Sequence, residues 1–288
     1  MSNKKLINFV VGMNNAEATT SAGPINIDLG RILGERKGTR CVPGFVVRWL
    51  SRLIHQDELN EMLRVAYPAR GAAFCRAVLE HLGVRVSVRC EERLPAPSLR
   101  CVIYVSNHPL GGLDGMALID WATRRHGVEP RFVVNDLLMA VEPLGDVFLP
   151  VNKHGGQSRR SIAAIDSALA EDRPLIIFPA GLCSRSRGGV VADLEWKKMF
   201  VQKARQTGRL ILPLHFKGSN SRRFYRLARL RERLGIRLNI EMALLPGEVF
   251  RARGKEFEIV CGDPVNAASL PGDAQDVAAD LRRYVIDL

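Results

Sequence analysis

The sequence has 288 residues, with 42 Lys and Arg against 30 Asp and Glu, so its formal net charge is +12. A chain of this length can bury a substantial core, which predicts one sizeable domain with an appended segment. The positive charge favours anionic partners such as lipid headgroups, phosphate-bearing carriers or nucleic acid, without choosing among them. The sequence has no run of about 18 apolar residues, which argues against a membrane-spanning helix.

The cysteines and the first residues indicate a cytosolic protein. The six cysteines are scattered, without a CxxC pair or a His-Cys cluster, so we expect reduced core residues and neither disulfides nor a metal site. Residues 1–24 are rich in Asn, Ala, Thr and Ser, and their apolar run is too short for a secretory signal. We expect a mobile leader there.

Residues 25–83 have a helical pattern. In GFVVRWLSRLIH the apolar residues recur with a period of about 3.6, and arginines occupy the other side. The segments QDELNEMLRVAY and RGAAFCRAVLEHLG follow, and Gly83 is placed to end the last helix. The sequence therefore predicts an N-terminal helical segment.

From Val84 onward, strand-like and helix-like segments alternate. VRVSVRC has a period of two, CVIYVS is typical of a buried strand, and GMALIDWATRRHG is typical of an amphipathic helix. The alternation continues through RFVVN, SIAAIDSALAED, PLIIFP, WKKMFVQKARQTG, LILPLHF and a last strand, FEIVCG. This order predicts an α/β domain over residues 84–288, in which helices flank a mostly parallel central sheet.

The stretch SNHPLGGLDG, residues 106–115, directly follows the strand CVIYVS. Open α/β sheets bind ligands at the carboxyl ends of their strands, and this stretch brings His108 and Asp114 to that edge. A carboxylate can fix the tautomer of an imidazole, whose other nitrogen then accepts a substrate proton. The alternative is structural, with Asp114 as the N-cap of the next helix and His108 filling a turn. The stretch alone favours neither interpretation.

A second stretch, IIFPAGLCSRSRGG, leads from a strand into a basic loop. Backbone N–H groups near Gly181, together with Ser184, Arg185 and Arg187, could bind a phosphate or an oxyanion. The alternative is a flexible solvated loop, which the sequence favours for residues 187–189.

A third stretch, LILPLHFKGSNSRRFYRLARLRERLGIR, places His215 and Lys217 at a strand end, before an arginine-rich helix. Such a helix is typical of membrane surfaces or of docking to acidic partners. The alternative is a helix packed by its leucines with a basic face that is merely solvated. Glu232 is the one acid near the arginines of this helix. The arginines are Arg222, Arg223, Arg226, Arg229, Arg231, Arg233 and Arg237. The predicted apolar side consists of Phe224, Tyr225, Leu227, Leu230 and Leu234.

Together these stretches resemble the lysophospholipid acyltransferase superfamily, also called glycerolipid or PlsC-type acyltransferases. SNHPLGGLDG resembles its first motif, GDVFLPVN its second, FPAGLCSRS its third and ILPLHFKGSNSRRFY its fourth. The resemblance covers roughly residues 25–265 and is closest to a bacterial hemolysin-like branch that includes acyltransferases of ornithine and glycine lipids.

The resemblance implies acyl transfer from an acyl carrier protein or coenzyme A thioester to the hydroxyl or amine of a lyso-lipid or acylated amino acid. It implies His108 as the general base and Asp114 as its orienting group, with no cofactor besides the donor and no metal. Arg222, Arg223 and Arg226 are expected to contact the carrier protein or a membrane with anionic lipids. The expected substrate contacts are Asn107, Gly112, Asn152, Pro179, Gly181, Ser184, Arg185, His215, Lys217 and Asn220.

Two departures from the common family pattern concern the acceptor. Five residues separate His108 from Asp114 where four are usual, and Ala180 and Cys183 replace a Glu and an Arg of the third motif. The hemolysin-like branch shares the longer first motif and the alanine. The departures therefore favour an acylated amino acid over lysophosphatidic acid as the acceptor.

In the expected mechanism the acceptor attacks the thioester directly, and backbone donors near Gly181 stabilise the oxyanion. A hydrolase that uses the same His-Asp pair and a non-enzymatic, hemolysin-like membrane-surface protein are the alternatives. Nucleic-acid binding has no supporting motif in the sequence. We expect a cytoplasmic protein that associates peripherally with the inner face of the membrane.

Overall fold

The structure is a computed structural model that describes residues 25–34, 43–135, 138–139, 141–151, 157–187, 190–236 and 239–288. The expected leader, residues 1–24, lies outside the described residues. Asn152, Arg237, residues 188–189 and the side chain of Arg187 lie outside them as well, so the expectations for these positions stay predictions.

The first described part of the chain is helical, as its periodicity predicts. It contains α1 (Leu29–Gly34), α2 (Gly44–Leu53), α3 (Gln56–Ala66) and α4 (Gly71–His81). Gly83 follows the last turn of α4 in the left-handed conformation, with φ at 62°, which is the conformation that favours glycine after a helix.

The strands of the described residues form a seven-stranded sheet in the order β1-β9-β8-β2-β5-β3-β4. Each strand is parallel to its neighbour except for β8 and β9, which pair antiparallel. The prediction of a mostly parallel central sheet is confirmed. The strands are β1 (Arg85–Arg89), β2 (Val102–Ser106), β3 (Arg131–Asn135), β4 (Phe148–Val151), β5 (Leu175–Ile177), β8 (Leu210–Lys217) and β9 (Glu256–Cys261).

Helices cover both faces of this sheet. They are α5 (Leu113–His126), α6 (Gln157–Ala170), α7 (Met199–Thr207), α8 (Arg222–Arg233), α9 (Leu245–Arg251) and α10 (Ala274–Asp287). A separate antiparallel hairpin consists of β6 (Arg185–Arg187) and β7 (Val190–Ala192). The hairpin, α9 and α10 are additions to the elements that the sequence predicts.

Side chains of the central strands alternate between two hydrophobic clusters. In β2, Val102 and Tyr104 pack on the side of α4 and α5, whereas Ile103 and Val105 pack on the side of α7 and α10. Each is fully buried, and burying a side chain of this size contributes about 1.5–3 kcal/mol. The sheet is therefore a rigid base for the loops at its edge.

A third, smaller cluster lies under α8 and joins it to the N-terminal helices. Cys183, Phe224 and Leu244 are its buried centre, and Leu53 of α2 and Leu227 of α8 pack against it. Among the described residues no helix is both long enough and apolar enough to cross a membrane.

The apolar side that the sequence predicts for α8 is partly wrong. Phe224 and Tyr225 are buried, but Leu230 and Leu234 are 53% and 63% exposed. These leucines lie on the outer face of the helix together with the exposed Arg226, because positions 226, 230 and 234 follow each other at intervals of four residues.

Candidate active site

Asn107 fastens the end of β2 to its neighbour β8. Its Oδ1 accepts the N–H of Phe216 at 2.7 Å, and its Nδ2 donates to the C=O of the same residue at 3.0 Å. The side chain thus copies the pairing of a strand residue and fixes the start of the following loop. The geometry gives Asn107 a positioning role, and its predicted substrate contact stays a prediction.

His108 and Asp114 are brought together by the loop that follows β2. The Nδ1 atom of His108 lies 2.9 Å from Oδ2 of Asp114, and the carboxylate is completely buried. Since a carboxylate accepts hydrogen bonds, Nδ1 carries the proton in the neutral imidazole. Nε2 is then the nitrogen able to accept a proton, and the His108 side chain is 16% exposed.

The carboxylate of Asp114 also organises the loop itself. It accepts the N–H groups of Leu110 at 2.9 Å, Gly112 at 3.1 Å and Gly115 at 3.0 Å. Asp114 lies inside the first turn of α5, and Gly112 occupies the N-cap position. The alternative that Asp114 is the N-cap of this helix is therefore wrong, because Gly112 occupies that position. Gly112 contributes to the loop by donating its N–H to the Asp114 carboxylate.

Gly111 is the residue that the turn favours, and it was not among the predicted site residues. Its φ is +79°, and a Cβ atom there would lie 2.8 Å from Cδ2 of Leu245. The positive φ favours glycine, and a larger residue would also require the Leu245 side chain to move. The Gly-Gly pair in the sequence was the available signal, although it does not show which glycine is needed.

Opposing effects set the protonation of the pair. Burial acts to lower the pKa of His108, but the charge and hydrogen bond of Asp114, aided by Asp193, outweigh it and hold that pKa above its ordinary value. Burial acts to raise the pKa of Asp114, but His108 and the backbone N–H groups outweigh it and hold that pKa low. Asp114 is therefore a carboxylate, and His108 is a stronger base than a free imidazole.

Phe178, directly after β5, holds the plane of the imidazole. The rings of His108 and Phe178 are stacked with centroids 4.1 Å apart and an interplanar angle of 18°. Phe132 packs edge-on against the ring of Phe178, with the two ring centroids 5.2 Å apart. Phe178 was not predicted as a site residue, because a phenylalanine at a strand end is usually a core residue.

In the loop of the third motif, the backbone N–H groups of Gly181 and Ser184 are already hydrogen-bonded within the protein, which corrects the expectation that Gly181 stabilises an oxyanion. The N–H of Gly181 donates to the C=O of Phe178 at 3.0 Å, and the N–H of Ser184 donates to the C=O of His108 at 2.7 Å. Oxyanion stabilisation is therefore not assigned to Gly181. Pro179 is buried, and its C=O accepts the N–H of Lys197.

Arg185 is not the accessible phosphate donor that the sequence predicts. Its side chain is 4% exposed, and Nη2 lies 2.9 Å from Oε1 of Glu241. The Nε atom of Arg231 lies 3.0 Å from the other oxygen of the same carboxylate. Because a buried guanidinium needs a charged partner, Glu241 determines where Arg185 points.

Asp193 links the first and third motifs and was not predicted. Its Oδ1 accepts the N–H of His108 at 3.1 Å and the Oγ–H of Ser184 at 2.6 Å, while Oδ2 accepts Nε1–H of Trp196 at 3.0 Å. The residue is 4% exposed. It is 85 residues from His108 in sequence, so no local pattern could have shown the contact.

The fourth motif lies beside the first. Nδ2 of Asn220 donates to the C=O of Pro109 at 3.0 Å, and Nζ of Lys217 lies 3.2 Å from Glu258. His215 is partly buried without a hydrogen bond to Nδ1. Burial lowers its pKa, and the charge of Lys217 lowers it further. Of these residues, Asn220 directly supports the loop of the His-Asp pair.

Arg222, Arg223 and Arg226 are exposed on α8, as the sequence predicts. Leu230 and Leu234 share their exposed surface. In the part of the chain that the structure describes, no three His, Cys, Asp or Glu side chains are grouped as a metal site would require.

A family model described as Acyltransferase matches residues 31–285. The chain belongs to this family of acyltransferases. The resemblance predicted from the four motifs is confirmed, and the protein is an acyltransferase.

Two curated relatives extend the comparison. A lyso-glycine lipid O-acyltransferase of Phocaeicola vulgatus is 42% identical over 241 residues, which are 83% of this acyltransferase and 86% of the relative. A lyso-glycine lipid O-acyltransferase of Bacteroides thetaiotaomicron is 39% identical over 264 residues, 91% of this chain and 96% of the relative.

One solved structure is also similar. The 1-acyl-sn-glycerophosphate (LPA) acyltransferase PlsC from Thermotoga maritima matches with a TM-score of 0.44 and 16% sequence identity. The match covers 83% of this chain and 95% of that one.

Proposed function

We propose that this acyltransferase moves a fatty acyl group from a thioester donor, acyl carrier protein or coenzyme A, to the hydroxyl of a lyso-lipid built on an acylated amino acid. The names of the two relatives support a glycine lipid as the acceptor. The observation that carries the chemistry is the 2.9 Å contact between His108 and a buried Asp114, with Nε2 of the imidazole left to accept a proton.

In the proposed reaction His108 acts on the acceptor and forms no bond to the acyl group. Nε2 takes the hydroxyl proton as the oxygen attacks the thioester carbonyl. The tetrahedral intermediate then expels the thiolate, which takes the proton back from the imidazolium. A positioned base of this kind contributes about 10²–10⁴ in rate.

Asp114 and Phe178 prepare the base before the acceptor binds. The carboxylate stabilises the imidazolium that forms during attack, and the stacked ring limits rotation of the imidazole. Since Asp114 and Phe178 are both buried, little reorganisation accompanies the proton transfer.

We further propose that the enzyme docks on a membrane with anionic lipids at the inner face, through α8 and α2. The outer face of α8 combines arginines with Leu230 and Leu234, which are 53% and 63% exposed. On α2, Phe45 and Trp49 are 67% and 60% exposed and are flanked by arginines. Basic faces that also expose large apolar side chains are typical of helices lying in the membrane interface.

The acceptor assay tests the proposed function. Purified enzyme is incubated with a labelled acyl thioester and a lyso-glycine lipid, and products are separated by mass spectrometry. We expect acyl transfer that depends on the acceptor. Release of free fatty acid at the same rate with and without acceptor would instead identify a hydrolase.

A further inference from the structure

A cavity of about 380 Å³ lies beside the loop that carries the His-Asp pair. Leu110 and Leu113 line one side of it, and residues from α9 and the start of β9 line the other. The N–H of Leu110 is bound to the carboxylate of Asp114, so the cavity wall and the orienting group of the base belong to one loop. Its size is in the range of small-ligand sites.

The lining of this cavity carries excess positive charge. Two cations, Arg251 and Lys255, line it together with one acid, Glu248. Arg251 approaches Glu248 at 3.8 Å, while that carboxylate already accepts the N–H and Oγ–H of Ser221. Among the described residues no acidic side chain forms an ion pair with Lys255, which is exposed. The cavity is therefore suited to an anion.

Asn220 connects this cavity to the loop of the His-Asp pair. It lines the cavity and is 6% exposed. Its Nδ2 donates to the C=O of Pro109 at 3.0 Å, and Pro109 directly follows His108. The cavity wall is therefore held next to the residue that acts as the base.

We propose that this cavity binds the headgroup of the acceptor, which rests on the proposed function. Arg251 and Lys255 pair with the free carboxylate of an acylated amino acid. This carboxylate is the anionic group of the proposed acceptor, and the methyl ester of the same compound lacks it.

Steady-state kinetics of Lys255→Gln, Arg251→Gln and the double variant test this assignment. The acceptors are an N-acylated glycine with a hydroxyl on its acyl chain, the methyl ester of that compound, and lysophosphatidic acid. For the free acid we expect KM to rise about tenfold for each lost charge, because a charged hydrogen bond is removed, with kcat nearly unchanged. For the neutral ester we expect the variants and the parent enzyme to share one KM.

Arg253→Gln is the matched control, since Arg253 is an exposed neighbour whose guanidinium packs over the ring of Phe250 at 5.3 Å. We expect it to leave both KM values unchanged. An unchanged KM for the free acid in the double variant, or an equal rise for acid and ester, would overturn the headgroup site. A rise for lysophosphatidic acid alone would overturn it too.

The same assay separates this inference from the proposed function. If the parent enzyme acylates the acylglycine and the double variant does so with the same KM, the headgroup site alone is wrong. If the parent enzyme acylates no acylated amino acid, the proposed function is wrong and the headgroup site falls with it.

Discussion

Two pairs of opposite charge lie close together at one edge of the sheet, and they differ in their exposure. In the closed pair, Arg185 with Glu241, both side chains are almost fully buried, and Nε of Arg231 lies 3.0 Å from the second oxygen of Glu241. In the open pair, His108 with Asp114, the carboxylate is equally buried, but His108 remains 16% exposed, with Nε2 left to accept a proton. Exposure of the base to a substrate separates a reactive pair from a structural one.

The difference could not be read from composition, because His108, Asp114 and Arg185 all lie in family motifs rich in polar residues, whereas Glu241 lies outside the four motifs. Arg185 follows Ser184, whose N–H is bound to the C=O of His108. The closed pair, Arg185 with Glu241, is therefore linked to the open pair, His108 with Asp114, through this backbone hydrogen bond. A buried guanidinium whose partners are all internal contributes to the shape of the site, whereas a partly exposed imidazole contributes to its chemistry.

Removing the open pair is expected to have the largest effect on activity. In His108→Ala the base is lost, and we expect acyl transfer to fall by about 10²–10⁴, while the protein still folds and unfolds in one cooperative transition. Acyl transfer from a labelled thioester and thermal unfolding measure the two quantities. His81→Ala, at the end of α4, is the control. Near-normal turnover of purified His108→Ala would remove the base assignment.

Breaking the closed pair is expected to act on stability. Glu241→Ala leaves two buried or half-buried guanidinium groups without their carboxylate, and we expect a loss of about 3–5 kcal/mol in the free energy of unfolding. Urea denaturation measures it. Glu232→Ala is the matched control, because Glu232 pairs with the same Arg231 at an exposed position and should cost less than about 1 kcal/mol. A stable but inactive Glu241→Ala would show that the closed pair takes part in catalysis.

The exposed arginines of α8 extend the comparison to charges that are expected to pair with a membrane surface and not with another side chain. Replacing Arg222, Arg223 and Arg226 together by Gln should weaken binding to anionic vesicles by about 10², since each basic residue near such a surface contributes about 1 kcal/mol. Vesicle sedimentation at low and high salt measures it, and the difference should shrink at high salt.

A control with the same change in net charge is available away from this face. Arg64, Arg85 and Arg283 are exposed and ion-paired on other elements, and their replacement by Gln should leave vesicle binding nearly unchanged. Equal weakening by both sets would mean that net charge, and not the face of α8, determines binding.

The smallest expected effect concerns the pH dependence of the open pair. Catalysis needs neutral His108, whose pKa is raised, so activity should be lost as the pH falls below that pKa. Asp193 contributes to raising it, so Asp193→Asn should move the acidic limb of the kcat/KM profile to lower pH. Asp280→Asn, at an exposed position of α10, should leave the limb in place. A shift to higher pH would contradict the electrostatic role of Asp193.

Much of the fold follows from local patterns. The period of two in VRVSVRC, the apolar run CVIYVS and the helical spacing of GFVVRWLSRLIH each lead to the observed element, because burial on one or both faces determines these periods. The segment that becomes α10 was missed although its signal was present: Asp273 caps the helix through the N–H of Gln275, and the apolar positions that follow have helical spacing.

The candidate site was predictable where its residues are neighbours in sequence. His108 and Asp114 are six positions apart, and the strand before them places them at the correct edge. Asp193, Phe178 and the contact of Leu245 with Gly111 depend on tertiary packing between distant segments. The burial of Arg185 depends on Glu241, 56 residues away, so a polar loop in the sequence became a closed internal network in the structure.

The Asn107 side chain adds two hydrogen bonds to the pairing of β2 with β8. His108, the base, is therefore the first residue after the part of the chain that is hydrogen-bonded to β8. Amide exchange at Phe216, whose N–H donates to that side chain, requires this hydrogen bond to open. The exchange rate of a single core amide thus reports how often the active-site loop detaches from its support, without substrate and without turnover.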